Sequence, residues 1–116
     1  MKKYYILNIP FVNESYSKLI KNLREGGLLV VPSGPGLATL DFDKKYTEAV
    51  QNSDYALPDS GYMVFLLRII KCVKIKKFSG YKFLTLFLNN ENFLKHDIFL
   101  VNPNQKETNL NYNYLN

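Results

Sequence analysis

The chain has 116 residues, of which 47% are hydrophobic and 22% are charged, and this predicts one folded domain spanning residues 1–116. Its net charge is +5, but 13 of its 15 basic residues are Lys; since nucleic-acid grooves favour Arg, we expect no nucleic-acid partner. Cys72 is the only cysteine, which excludes an internal disulfide, and no apolar run approaches the roughly 20 residues that cross a bilayer, so we expect a cytoplasmic protein.

The first half of the chain alternates short apolar runs with segments of helical spacing. In chain order these predict a strand at Tyr4–Leu7 that ends before Pro10, a helix at Ser15–Glu25 stopped by Gly26 and Gly27, a strand at Leu28–Val31, a loop at Pro32–Gly36, a helix at about Asp43–Asn52 and a strand at Asp54–Leu57. The aliphatic run Leu28–Val31 is typical of a parallel strand that is covered on both faces.

The second half of the chain has longer apolar segments. They predict a buried helix at Ser60–Lys71, a strand at Lys74–Phe78, a second apolar helix at Gly80–Leu88, a strand at Ile98–Val101 and an amphipathic helix at Gln105–Leu115. Asn104 is a suitable N-cap for the last helix. Because that helix runs to the end of the chain, we expect a truncated fold.

Strands that alternate with helices across short loops predict an α/β fold, a Rossmann-like parallel sheet with helices on both faces. Ligands of such sheets bind beyond the carboxyl ends of the strands. Three loops are expected at that edge: Pro32–Gly36, Pro58–Gly61 and Asn102–Asn104.

Asp59 is the main candidate for a catalytic residue, since it follows a predicted strand and precedes a predicted apolar helix. In one interpretation its carboxylate caps that helix. In the other, the apolar wall beside it makes the carboxylate a stronger base, as a general base working near neutrality requires. The local sequence leaves both interpretations open.

The Ser33–Gly36 segment also has two interpretations. Its glycines let the backbone approach a phosphate or sugar closely, or they serve only the turn. Asn102 lies in a polar loop that either caps the next helix or binds a base or sugar. His96 has no neighbour with which to form a metal site or a triad, so neither a metal nor another cofactor is expected.

Four stretches occur in a fixed order along the chain: Gly27–Val31, Asp43–Gly61, Lys77–Leu84 and Ile98–Pro103. Together they resemble the WecG/TagA/CpsF family of bacterial glycosyltransferases, which add N-acetylmannosamine or a similar sugar to a polyprenyl-diphosphate-linked acceptor. The resemblance implies a UDP-sugar donor, a role in cell-surface polysaccharide or teichoic acid synthesis, and a peripheral position at the inner face of the cell membrane.

The resemblance also implies roles for individual residues. Asp59 matches the aspartate of the family's Pro-Asp-Gly motif and is the implied catalytic base. The implied substrate-binding residues are Ser33, Gly34, Ser60, Gly61, Gly80 and Asn102.

Several positions depart from the family pattern. Pro32-Ser33-Gly34 stands where the family has Thr-x-Asn, Ser60 is an insertion in the Pro-Asp-Gly motif, and Lys77 replaces a usual Arg. Since the family's domain continues past Leu115, we expect an amino-terminal portion that is inactive alone unless a second copy or a partner chain completes it. Measuring UDP-sugar turnover by the purified chain tests this expectation.

Two other classes of function fit parts of the sequence. An oxidoreductase would use Ser33–Gly36 as a dinucleotide loop and Asp59 as the ribose partner, although Pro35 and a missing third glycine count against it. A nucleotide-binding or interaction module without transferase activity would instead dock onto a partner through an open sheet edge.

Overall fold

The computed structural model describes residues 1–59, 61, 64, 68–69, 77–89, 97, 99 and 101–115. Its strands are β1 (Lys3–Ile6), β2 (Ile9–Val12), β3 (Leu29–Val30) and β4 (Tyr55–Ala56). They form an open sheet in the order β1-β2-β4-β3. The strand β1 is antiparallel to β2, whereas β2 and β3 both run parallel to β4. The α/β prediction is confirmed, and the all-parallel prediction is wrong for β1.

The antiparallel pair arises from a two-residue turn that sequence patterning did not identify. Leu7 and Asn8 have φ values of 52° and 60°, and type I′ hairpin turns require positive φ at both central residues. The turn pairs Ile6 with Ile9 and, next along, Tyr5 with Pro10. Residue pairs in an antiparallel ladder alternate between hydrogen-bonded and non-hydrogen-bonded. The pair that flanks the turn, Ile6 with Ile9, is hydrogen-bonded, so the next pair, Tyr5 with Pro10, is not. Pro10, which has no N–H, therefore costs the pairing with β1 no hydrogen bond.

Five helices complete the described fold: α1 (Tyr16–Leu23), α2 (Gly34–Ala38), α3 (Lys44–Gln51), α4 (Gly80–Leu88) and α5 (Gln105–Leu115). Side chains preceding the first four accept backbone N–H bonds as N-caps: Ser15, Ser33, Asp43 and Ser79. Such caps satisfy donors that a helix start leaves unpaired. The helices predicted at α1, α3, α4 and α5 are confirmed, with α4 and α5 at the expected bounds. Within the described ranges, every helix is too short or too polar to span a membrane.

The predicted loop at Pro32–Gly36 is corrected by the structure, since α2 begins inside it. Ser33 Oγ accepts the N–H of Gly36 at 3.0 Å, and Pro35 lies in the first turn of the helix. That turn tolerates proline because its N–H groups have no intrahelical partner.

Three further predictions concern the part of the chain after Asp59. Most of the helix predicted at 60–71 lies outside the described residues, although residues 61, 64, 68 and 69 are helical. In the predicted strand 74–78, residues 74–76 lie outside the described residues, and Lys77 and Phe78 have no regular structure, although the N–H of Phe78 donates to Pro58 O just beyond β4.

The strand predicted at 98–101 is not found at its two described residues. Phe99 and Val101 are 90% and 86% exposed and non-regular. Residues 98 and 100 lie outside the described residues. An apolar run gains strand stability by packing against a buried face, and these two side chains have no such burial.

The core forms two clusters, one on each side of β2. One contains Ile9, Phe11, Val50 and Ala56 and joins the sheet to α3. The other contains Val12, Leu19, Ile20, Leu57, Phe78 and Phe83 and joins the sheet to α1 and α4. Successive strand residues point to opposite faces, so the alternation of Phe11 and Val12 puts helices on both faces of the sheet, as predicted.

Candidate functional site

The candidate site lies at one edge of the sheet because β2, β4 and β3 run parallel. Their carboxyl ends therefore face the same side. Three segments leave the sheet there: Asn13–Ser15 after β2, Leu57–Asp59 after β4 and Val31–Ser33 after β3. The order of the strands places the β4 segment between the other two.

Asp59 is fixed by contacts with the start of α4. Its Oδ1 accepts the N–H of Gly80 at 3.1 Å, and the N–H of Phe78 donates to Pro58 O at 3.0 Å. These two hydrogen bonds join the loop after β4 to the first residue of α4 and to the segment just before it. Pro58 is buried, whereas Asp59 is partly exposed, so the carboxylate is fixed in position and still accessible to a ligand.

The hydrogen bond from Gly80 shows that Asp59 contacts a helix other than the one that the capping interpretation assigned to it. Among the described residues, the side-chain partner of Asp59 belongs to α4 rather than to the segment that follows Asp59. Gly80 is the first residue of α4, where the helix dipole is positive and favours an anion. Of the described N–H groups, that of Gly80 donates to Asp59, and a carboxylate has several lone pairs, so it can also accept from a substrate hydroxyl.

Gly80 lies between the ends of β3 and β4. A Cβ atom added to it would be 3.1 Å from Val31 Cγ1 and 3.8 Å from Asp59 Oδ2. The first contact is tighter than ordinary van der Waals packing, so this position favours glycine. The close approach brings α4, Asp59 and the end of β3 together at one point.

Ser33 and Gly34 lie at the same edge, after β3. The hydroxyl of Ser33 caps α2 through Gly36, and the space around Gly34 is open. A Cβ atom on Gly36 would be 2.6 Å from the Tyr46 hydroxyl, so α3 packs directly against the start of α2. Ser33 therefore has a structural partner, and Gly34 presents accessible backbone.

The remaining predicted site residues have different placements. A Cβ atom on Gly61 would be 4.0 Å from Lys77 Nζ, which puts a cation beside the loop that contains Asp59. Ser60 lies outside the described residues. Asn102 Oδ1 accepts from Asn111 Nδ2 of α5 at 2.6 Å, and no hydrogen bond joins Asn102 to the other candidates in the described part of the chain.

The sequence drew attention to Lys77 as the replacement of a family Arg but did not place it in the candidate site, and the residues after β2, which include Glu14, were missed. Glu14 lies at the carboxyl edge only because β2 exists, and Pro10 argued against that strand. The two-residue turn at Leu7-Asn8 between apolar runs was the available signal. In the described ranges no three His, Cys, Asp or Glu side chains gather as metal ligands.

Comparison with known protein families gives a match that covers nearly the whole chain. The sequence model of the glycosyl transferase WecG/TagA/CpsF family matches residues 4–112. A search of curated proteins finds no match to the chain. The family match covers nearly all of the 116 residues. The chain therefore belongs to the WecG/TagA/CpsF family of glycosyltransferases, and this membership supports a role in the synthesis of cell-surface polysaccharide.

Proposed function

We propose that the chain transfers an N-acetylhexosamine-type sugar, such as N-acetylmannosamine, from a UDP-sugar to a polyprenyl-diphosphate-linked acceptor. The observation that carries this proposal is the placement of Asp59 at the carboxyl end of β4, partly exposed and bonded to Gly80. Membership of a glycosyltransferase family supports the reaction class. Because the acceptor is attached to a lipid, the reaction would occur at the inner face of the cell membrane.

In the proposed reaction Asp59 acts as the general base. Its carboxylate takes the proton of the acceptor hydroxyl while that oxygen forms a bond to the anomeric carbon of the donor. The bond between the anomeric carbon and the UDP oxygen breaks, and UDP leaves with the electron pair. The two substrates must be aligned for this displacement, so positioning contributes much of the rate.

The proposed donor site is the side of the edge formed by the loops after β3 and β4. Open backbone at Gly34 and the glycine at residue 61 allow a diphosphate to approach closely. The ammonium of Lys77, near Gly61, supplies positive charge that favours a diphosphate and its departure as UDP. Ser33, Ser60, Gly80 and Asn102 complete the proposed set of substrate-binding residues.

A UDP titration followed by amide NMR tests the donor site directly. We expect saturable shifts at Gly34, Gly61 and Gly80, and weaker UDP binding by Lys77→Met. Lys106→Met, which removes an exposed lysine from α5, is the matched control and should bind UDP as the wild type does. Absence of UDP binding, or shifts confined to α5, would contradict the proposed donor site.

A transfer assay separates the proposed enzyme from a nucleotide-binding module without transferase activity. The assay combines the chain with UDP-N-acetylmannosamine and a polyprenyl-diphosphate-linked acceptor and measures the glycosylated lipid. The assay is run at low and high chain concentration and with added lysate of the native cells, which supplies a second copy or a partner chain. UDP binding with no transfer in any of these arms would favour the module.

A further inference from the structure

A cavity of about 260 Å³ lies where β2 ends and α1 begins. Its described lining comprises Asn13, Glu14, Ser15 and Phe78. None of these residues belongs to the proposed donor site, so the cavity is a second concave surface at the carboxyl edge.

The cavity is adjacent to Asp59 on the side away from β3. Its wall residue Phe78 donates a backbone hydrogen bond to Pro58 O, and Pro58 directly precedes Asp59. Since β4 lies between β2 and β3, Asp59 stands between this cavity and the segment that contains Ser33. A general base must lie within hydrogen-bond reach of the acceptor hydroxyl whose proton it takes, so a sugar bound beside Asp59 would be suitably placed.

The lining places polar groups above a buried aromatic residue. The Glu14 side chain is only 23% exposed, and its Oε1 lies 3.5 Å from Lys18 Nζ. Phe78 is buried, and its ring centroid is 4.0 Å from that of Tyr16, which fixes its position. A carboxylate, an amide and a hydroxyl on this rigid base suit a ligand with several hydroxyl groups.

The cavity is large enough for one sugar ring. Pockets for drug-sized ligands typically measure about 300–1,000 Å³, and this cavity measures slightly less.

We propose that this cavity binds the sugar ring of the acceptor, with Glu14 accepting hydrogen bonds from its hydroxyls. The inference rests on the proposed function, because the acceptor side is defined relative to Asp59 as the base. Phe78 lies beneath the subsite, and the bond from its backbone N–H to Pro58 O links the subsite to the loop that contains Asp59.

Amide NMR of the chain titrated with methyl N-acetyl-β-glucosaminide tests the subsite. A single sugar ring should bind with a dissociation constant on the order of millimolar, with saturable shifts at Glu14, Ser15 and Phe78. Glu14→Gln should weaken this binding about tenfold, because hydrogen bonds to a charged acceptor are stronger than those to a neutral one. The control Glu25→Gln, an exposed carboxylate beyond the other end of α1, should bind as the wild type does.

The titration has clear contrary outcomes. Lack of saturable shifts at Glu14 and Phe78, or unchanged affinity in Glu14→Gln, would overturn the inference. The UDP titration answers the donor-site question separately, so a chain that binds UDP at Gly34 but no sugar at Glu14 would refute the subsite alone. Sugar binding by Glu14 without any UDP binding would support the subsite as a carbohydrate site and refute the proposed donor site.

Discussion

The N–H of Gly80 donates a 3.1 Å hydrogen bond to Oδ1 of Asp59, joining residues 21 positions apart in the sequence. This bond ties the carboxyl end of β4 to the first turn of α4. Together with the bond from Phe78 to Pro58, it fixes the carboxylate at the edge of the sheet where ligands of parallel sheets bind.

The contact of Gly80 with Val31 makes a specific prediction about stability. In the wild-type background, Gly80→Ala should destabilise the fold by about 1 kcal/mol or more, because its Cβ would crowd Val31. In a Val31→Ala background the same change should be neutral or stabilising, since alanine favours helix over glycine. Urea unfolding of the four variants measures this coupling. An equal effect of Gly80→Ala in both backgrounds would show that Val31 does not restrict this position.

Crowding at Gly36 should depend on one hydroxyl group. Gly36→Ala puts a Cβ 2.6 Å from the Tyr46 hydroxyl, so we expect a loss of about 1–3 kcal/mol from overpacking. Tyr46→Phe should reduce that loss because it removes the nearest atom. Gly34→Ala is the matched comparison: apart from its chain neighbours its surroundings are open, so its only cost comes from Pro35, which disfavours helical backbone at the residue before it, and that cost should be smaller than that of Gly36→Ala. Thermal unfolding compares them, and equal losses for Gly36→Ala and Gly34→Ala would contradict the account of α2.

The turn between β1 and β2 can be changed to one that makes the fold more stable. Leu7 adopts a φ of 52°, which is costly for a non-glycine residue, and its side chain is exposed. Replacing Leu7-Asn8 with Asn-Gly, the preferred type I′ pair, should stabilise the fold by about 1 kcal/mol. The denaturation midpoint checks this, and Lys21→Gly on the exposed face of α1 is a control that should destabilise the fold by about 1 kcal/mol. A lower midpoint for the turn variant would show that the turn is not type I′.

Helices were predictable from the sequence because their signals are local. Ser79 before the apolar segment Gly80–Leu88 and Asn104 before Gln105–Leu115 mark helix starts, and both helices have the expected bounds. The strand β2 was missed because Pro10 argues against a strand when the hydrogen-bonding side of its partner is unknown. A pairing register, which only the folded chain provides, resolves that question.

The candidate site was predictable in its location and less so in its contacts. Placing Asp59 and Ser33 at one edge followed from the expected parallel strands. The bond between Asp59 and Gly80 depends on how α4 packs, which periodicity does not specify. Asn102 was grouped with these residues by its position after a predicted strand, yet its hydrogen bond is to Asn111.

The most direct test of the account is the turnover of an Asp59→Asn variant in the transfer assay, measured under the conditions in which the wild-type chain is active. The amide keeps the size of the side chain but cannot take a proton from the acceptor hydroxyl, so kcat should fall by about 100-fold to 10,000-fold, while the KM for the UDP-sugar changes little. Glu25→Gln, the same chemical change at an exposed position, should retain full activity. An unchanged kcat in Asp59→Asn would contradict the assignment of this carboxylate as the base.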